Sequence, residues 1–126
     1  MSYALFEEAG KFAAGRVMSE AESSMQIELE SGKRVKVKTA HVLLRFDAPS
    51  PAELLAEGRR LSQDIDLDLA WEFAPDGEFS FSDLAKDYFD AQAGVTHRAA
   101  ALFRLFEAPH YFRRMGKGLF KKAPEE

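Results

Sequence analysis

The 126-residue chain contains no cysteine, which excludes disulfide frameworks, thiolate zinc sites and cysteine nucleophiles. It has no apolar run near the roughly 18 residues a membrane span requires. Its opening, Met1-Ser2-Tyr3-Ala4, lacks a basic stretch leading into an apolar one, so neither a membrane association nor a secretion signal is expected. The three histidines, His41, His97 and His110, share no metal-ligand spacing. Glycine-rich phosphate loops and nucleophile elbows are missing as well. Asp64, Asp66 and Asp68 alternate but lack the glycine and terminal glutamate of a calcium loop. They sit at a helix start, where acids complement the helix dipole. No catalytic residue, metal ligand or cofactor is therefore assigned to this chain, and a reduced, cytoplasmic setting is expected.

What is present is an ordinary globular composition, 46% hydrophobic and 30% charged, with a net charge of −4 that hides an uneven distribution. Residues 1–46 sum to +1, residues 47–90 to −9 and residues 91–124 to +6. Such asymmetry points to separate surfaces with separate roles, or to acidic helices and basic strands that face each other within one fold.

The first third alternates with period two. Met25, Ile27 and Leu29 are interleaved with Gln26, Glu28 and Glu30, and Val35 and Val37 with Arg34, Lys36 and Lys38. Ser31-Gly32 stands between them as a turn signal. A two-residue loop would oppose Leu29 to Arg34, so parity predicts an odd loop pairing Leu29 with Val35, Ile27 with Val37, Glu28 with Lys36 and Glu30 with Arg34. Tyr3–Phe6 and Lys11–Met18 read as two further strands turned through Glu7-Glu8-Ala9-Gly10, and Val42–Phe46 as a fifth. Five short strands with tight connections predict a small SH3-like β-barrel over residues 1–47.

The remainder reads as helices and a terminal hairpin. Ser50-Pro51-Ala52-Glu53 combines a serine cap, proline at the first helical position and glutamate at the third. It opens a helix whose apolar face carries Leu54, Leu55, Gly58, Leu61 and Ile65. A second helix is expected from Asp66 through Trp71, stopping before Pro75. A third, capped by Ser80 or Ser82, bears Leu84, Tyr88 and Phe89 and ends near Gly94. A fourth opens at Thr96 with Ala99, Leu102, Phe103 and Phe106 as its buried stripe. His110–Arg114 and Leu119–Lys122 flank the glycine-containing tip Met115-Gly116-Lys117-Gly118 as a hairpin. That order predicts a winged helix-turn-helix module over residues 50–122, and an α+β fold overall, with the module boundary at Asp47-Ala48-Pro49.

Two basic stretches suggest nucleic-acid contact. One holds Lys33, Arg34, Lys36, Lys38, His41 and Arg45, the other Arg113, Arg114, Lys117, Lys121 and Lys122 interleaved with Tyr111, Phe112 and Phe120. Several cations on one surface bind phosphates, and aromatics can stack on bases of a single strand. Structural roles compete. Arg34 and Lys36 can pair with Glu28 and Glu30 across their hairpin, at little gain in stability, and the three aromatics suit a core. His97 and Arg104, seven residues apart, share the helix face opposite the buried stripe. The expected phosphate-contacting set is Lys38, Arg45, His97, Arg104, Arg113, Arg114, Lys117, Lys121 and Lys122.

Several stretches carry a resemblance. They are Glu30–Lys38, His41 with Val42–Phe46, Pro51–Ala56, Ile65-Asp66-Leu67-Asp68, and Ala108–Phe112 on to Ala123-Pro124-Glu125-Glu126. Over essentially its whole length the chain resembles the N-terminal region of ribonuclease II-family (RNB) exoribonucleases of β-proteobacterial type. The resemblance implies an accessory module, with residues 123–126 leading into a catalytic domain that hydrolyses single-stranded RNA from the 3′ end through aspartate-bound Mg²⁺. It carries over no catalytic residue, since no segment matches the aspartate-rich motif. Typical members begin with cold-shock domains, whose aromatic signatures this chain lacks. The function expected is a non-catalytic RNA-binding or substrate-guiding module, with single-stranded RNA and the rest of the parent enzyme as partners. The alternatives are a structural module docking the catalytic domain through the acidic helices, or a winged-helix DNA-binding protein.

Overall fold

The computed structural model describes residues 2–90 and 94–124. The fold is α+β, with a five-stranded antiparallel sheet, a three-stranded sheet and four α-helices among the described residues. The chain divides into two compact units, Met1–Ala56 and Glu57–Glu126. The division falls beyond the Asp47–Pro49 boundary expected from the order of elements.

In the first unit, β1 (Tyr3–Glu8), β2 (Lys11–Glu20), β3 (Ser24–Leu29), β4 (Arg34–Lys38) and β5 (Val42–Phe46) form a sheet of order β4-β3-β2-β1-β5, with a 3-10 turn at Thr39–His41 before β5. The β1–β2 hairpin turns through Ala9 (φ 52°) and Gly10 (φ 80°) between the paired residues Glu8 and Lys11. Two successive left-handed residues make the turn whose twist matches that of the strands. Ala4, Phe6, Met25, Ile27 and Val37 are buried together, with Ala13, Val17, Leu29, Val35 and Val42 packed against them. Leu5, opposite both Ala14 and Leu44, is fully buried on the other face, so β1 is covered on both sides.

The β3–β4 loop has an odd number of residues, but the register differs from the expected one by two. Met25 pairs with Val37, Ile27 with Val35, Gln26 with Lys36 and Glu28 with Arg34. The Leu29 amide donates to the Lys33 carbonyl at 2.8 Å and the Gly32 amide to the Leu29 carbonyl at 2.9 Å, leaving Glu30-Ser31-Gly32 as the loop. Gly32 has φ 90°. A three-residue loop ends on a left-handed residue, and the expected register would have put Lys33 there instead of glycine.

In the second half of the chain, α1 (Pro51–Ser62) begins where the Glu53 amide donates to the Ser50 hydroxyl at 3.3 Å. Within the second unit, Gly58 lets α1 approach closely, since a Cβ there would meet the Phe103 ring at 2.8 Å. α2 (Leu67–Phe73) is capped by Asp66, which accepts from the Leu69 amide at 3.1 Å. α3 (Phe81–Tyr88) is capped by Ser80 in the same way, accepting from the Asp83 amide at 3.1 Å. α3 stops short of the expected Gly94, and residues 91–93 lie outside those described.

α4 (Val95–Phe106) buries Ala99, Ala100, Ala101, Leu102, Phe103 and Leu105, while Phe106 is half-buried and not the core residue its spacing predicts. β7 (Phe112–Gly116) and β8 (Leu119–Lys122) form the expected hairpin. β6 (Phe79–Ser80) joins it to give the order β6-β8-β7. Two residues are too few to show an alternation, so β6 was invisible to periodicity. Its Phe79 meets Phe112 edge-on, centroids 5.9 Å apart.

Candidate nucleic-acid interface

Register decides what the terminal hairpin presents. Residues directly opposite in an antiparallel pair share a face. Phe112 opposes Lys122 and Arg114 opposes Phe120, while Arg113 opposes Lys121. Phe112 and Phe120 are buried, so Arg114 and Lys122 lie on the same face as those rings, although Arg114 stays exposed and only Lys122 is half-buried. Arg113 and Lys121 belong to the outward face, and both are exposed. A bulge between Arg114 and Gly116 precedes the tip, where exposed Lys117 adopts φ 54° between Gly116 (φ 89°) and Gly118 (φ 78°). Met115 beside it is 44% exposed. Arg113, Lys117 and Lys121 enter none of the ion pairs found among the described residues.

The two cations that share a face with the rings are engaged. The Arg114 guanidinium lies 4.3 Å from the Phe106 ring centroid. Lys122 places its ammonium 4.4 Å from the Trp71 ring centroid and 4.0 Å from an Asp76 carboxylate oxygen, with its side chain only 17% exposed. A cation over an aromatic face is held by the ring quadrupole. This end of the hairpin is clasped further: Trp71 Nε1 donates to the Ala123 carbonyl at 3.1 Å, and the Tyr111 hydroxyl donates to Asp68 Oδ1 at 2.9 Å. That bond, together with the Asp68 charge, raises the Tyr111 pKa above its ordinary 10.0.

α4 does not present the expected outward face. Arg104 Nε donates to the Ile65 carbonyl at 3.1 Å, and His97 packs edge-on against Phe89 with centroids 4.7 Å apart. Every residue of α4 is buried or half-buried. Tyr111 is half-buried, and the buried Phe112 and Phe120 are core residues, not stacking platforms.

In the first unit, β4 is an edge strand with Arg34, Lys36 and Lys38 exposed on one face. Arg34 is 3.6 Å from Glu28, whose carboxylate also takes Arg16 at 3.3 Å. Lys36 opposes Gln26 and Lys38 opposes Ser24, so the expected Lys36–Glu28 and Arg34–Glu30 pairs give way to the shifted register. Arg45, the other candidate of this unit, is ion-paired with Glu20. An open groove of about 270 Å³ is bordered by Tyr3, Arg16, Glu28 and Pro51, its guanidinium committed to Glu28.

The nine candidates therefore divide. Arg113, Lys117 and Lys121 form one exposed group on the hairpin and Lys38 extends the β4 row, whereas Arg45, His97, Arg104, Arg114 and Lys122 are occupied by intramolecular contacts. The partners Ile65, Trp71 and Asp76 were not anticipated, since long-range contacts leave no periodic signal in sequence. Among the described residues no group of three or more His, Asp or Glu could hold a metal ion, and no helix is long and apolar enough to cross a membrane. Compared with known proteins, the chain matches no family model, no curated protein and no solved structure.

Proposed function

We propose that the chain is a non-catalytic RNA-binding module, and that the β7–β8 hairpin is its principal contact with the phosphate backbone of single-stranded RNA. One observation carries the reading: Arg113 and Lys121 stand directly opposite on an exposed face with Lys117 at the tip. Like charges placed directly opposite destabilise a strand pair, and a polyanion relieves that repulsion while releasing its own counterions.

The fold reading behind this proposal is an SH3-like barrel followed by a winged helix. The first is supported by the β4-β3-β2-β1-β5 order and the 3-10 turn that returns β5 to β1. The second is supported by the succession β6, α3, α4, β7, β8 and by β8 lying between β6 and β7. α4 offers no exposed side chain for a major groove, which favours backbone contact by the wing over base readout. The sequence resemblance supports a cytoplasmic RNB exoribonuclease as the parent, with the Mg²⁺-dependent step in a domain outside this chain.

The test compares single-stranded RNA binding by the chain, by Arg113→Glu/Lys117→Glu/Lys121→Glu and by Arg104→Gln. The triple variant is expected to lose most of the affinity and Arg104→Gln to retain it. Equal affinity across the three refutes the hairpin as the contact.

A further inference from the structure

The second unit carries another surface of opposite chemistry. At about 100° per residue, the exposed arc of α2 runs through Asp68, Glu72, Leu69, Phe73 and Asp66, while Ala70 faces inward and is fully buried. Leu69 is 42% and Phe73 49% exposed, one helical turn apart. Lone exposed apolar residues are ordinary, but these two continue into an aromatic row. Phe73 meets Tyr88 edge-on at 6.2 Å and Tyr88 meets Phe89 at 5.1 Å. The row is held in place, because the Tyr88 hydroxyl accepts from the Asp66 main-chain amide at 2.9 Å. Around it the chain is acidic: residues 64–90 contain nine carboxylates and one lysine, and Glu72, next to Leu69 on the arc of α2, and Asp87, the chain neighbour of Tyr88, are exposed.

We propose that Leu69, Phe73 and Tyr88 form a docking site for a basic protein segment that presents apolar side chains between its cations. Charge complementarity selects this occupant. The carboxylates flanking Leu69 and Phe73 repel a nucleic acid, and they would be left unpaired against a neutral apolar partner, at a cost in desolvation. A basic amphipathic segment satisfies both features, its apolar residues covering Phe73 and its lysines or arginines meeting Glu72 and Asp87. The site is independent of the hairpin's proposed contact with RNA.

The test is a ¹⁵N NMR titration of the full chain with an amphipathic leucine–lysine peptide about five helical turns long, and with a scrambled peptide of the same composition. Amide shifts are expected to centre on Leu69, Phe73 and Tyr88 with the ordered peptide. Phe73→Ala, whose side chain is half exposed, should weaken binding about tenfold while leaving the thermal midpoint of the chain near that of the parent, as loss of an interface anchor does. Glu72→Lys/Asp87→Lys should weaken it and flatten its salt dependence. Equal binding of the scrambled peptide, equal binding by Phe73→Ala, or shifts centred elsewhere overturns the proposal. So does self-association of the chain through Phe73 that the peptide fails to reverse, or perturbation of the same amides by an RNA oligonucleotide.

Discussion

Arg113 and Lys121 face each other across two strands with solvent on their outer side, and a cross-strand pair of this kind shifts stability by about 0.2–1 kcal/mol according to its charges. Lys121→Glu turns repulsion into attraction. It should raise the urea midpoint slightly while weakening RNA binding, a separation of effects that a purely structural hairpin does not produce. Arg104 is the converse case. Its Nε serves the Ile65 carbonyl, so Arg104→Gln should cost about 1 kcal/mol in unfolding free energy and leave RNA affinity alone. Tyr111 gives a pH signature. Its pKa is raised in the fold by the hydrogen bond to Asp68 and by that residue's charge, so the folded state holds this proton more tightly than the unfolded one. The contribution is fully present below the ordinary value of 10.0 and is lost as pH rises through the raised one. Tyr111→Phe should remove that alkaline dependence from the unfolding midpoint measured between neutral pH and pH 11 or so.

At the scale of elements, close approach explains positions that hydrophobic pattern does not. Gly15 in β2 lies where a Cβ would stand 2.4 Å from the Glu28 carbonyl oxygen and 2.7 Å from Ile27 Cγ2. Gly15→Ala must push β3 away, and a thermal melt should show a loss of about 1–3 kcal/mol. The five strands of the first unit were legible because alternation and tight turns are local properties. Parity correctly demanded an odd β3–β4 loop, yet the pairing partners came out two residues off, since they depend on which loop position goes left-handed, and glycine at 32 decides that. The cap at Ser50 was legible from its motif, whereas Ser80 and Ser82 stood as alternatives that the Asp83 amide decides by donating to Ser80. Asp66 proves to be the cap of the helix it was expected to open. β6 was not legible, because its two residues are strand only by virtue of pairing with Phe120 and Leu119.

For the molecule as a whole, charge bookkeeping along the sequence located the basic and acidic regions but not their use. The +6 of residues 91–124 suggested a single strip of cations. Alternation within β7 and β8 instead sets Arg114 and Lys122 against the rings of Phe106 and Trp71, Arg114 remaining exposed, and leaves Arg113, Lys117 and Lys121 on the other face or at the tip. The aromatic partners that capture the first pair come from α4 and α2, which no window of hairpin sequence contains. Likewise the −9 of residues 47–90 marks a surface of its own, but not that Leu69 and Phe73 stand exposed within it.

The salt dependence of single-stranded RNA binding probes the central claim most directly. Three outward cations contacting phosphates predict that log K falls with log[salt] at a slope of about −2 for a single strand. Replacing Arg113, Lys117 and Lys121 with glutamine should bring the slope close to zero, and replacing Arg104 and Lys122 should leave it unchanged. A slope that survives loss of the three hairpin cations contradicts the account.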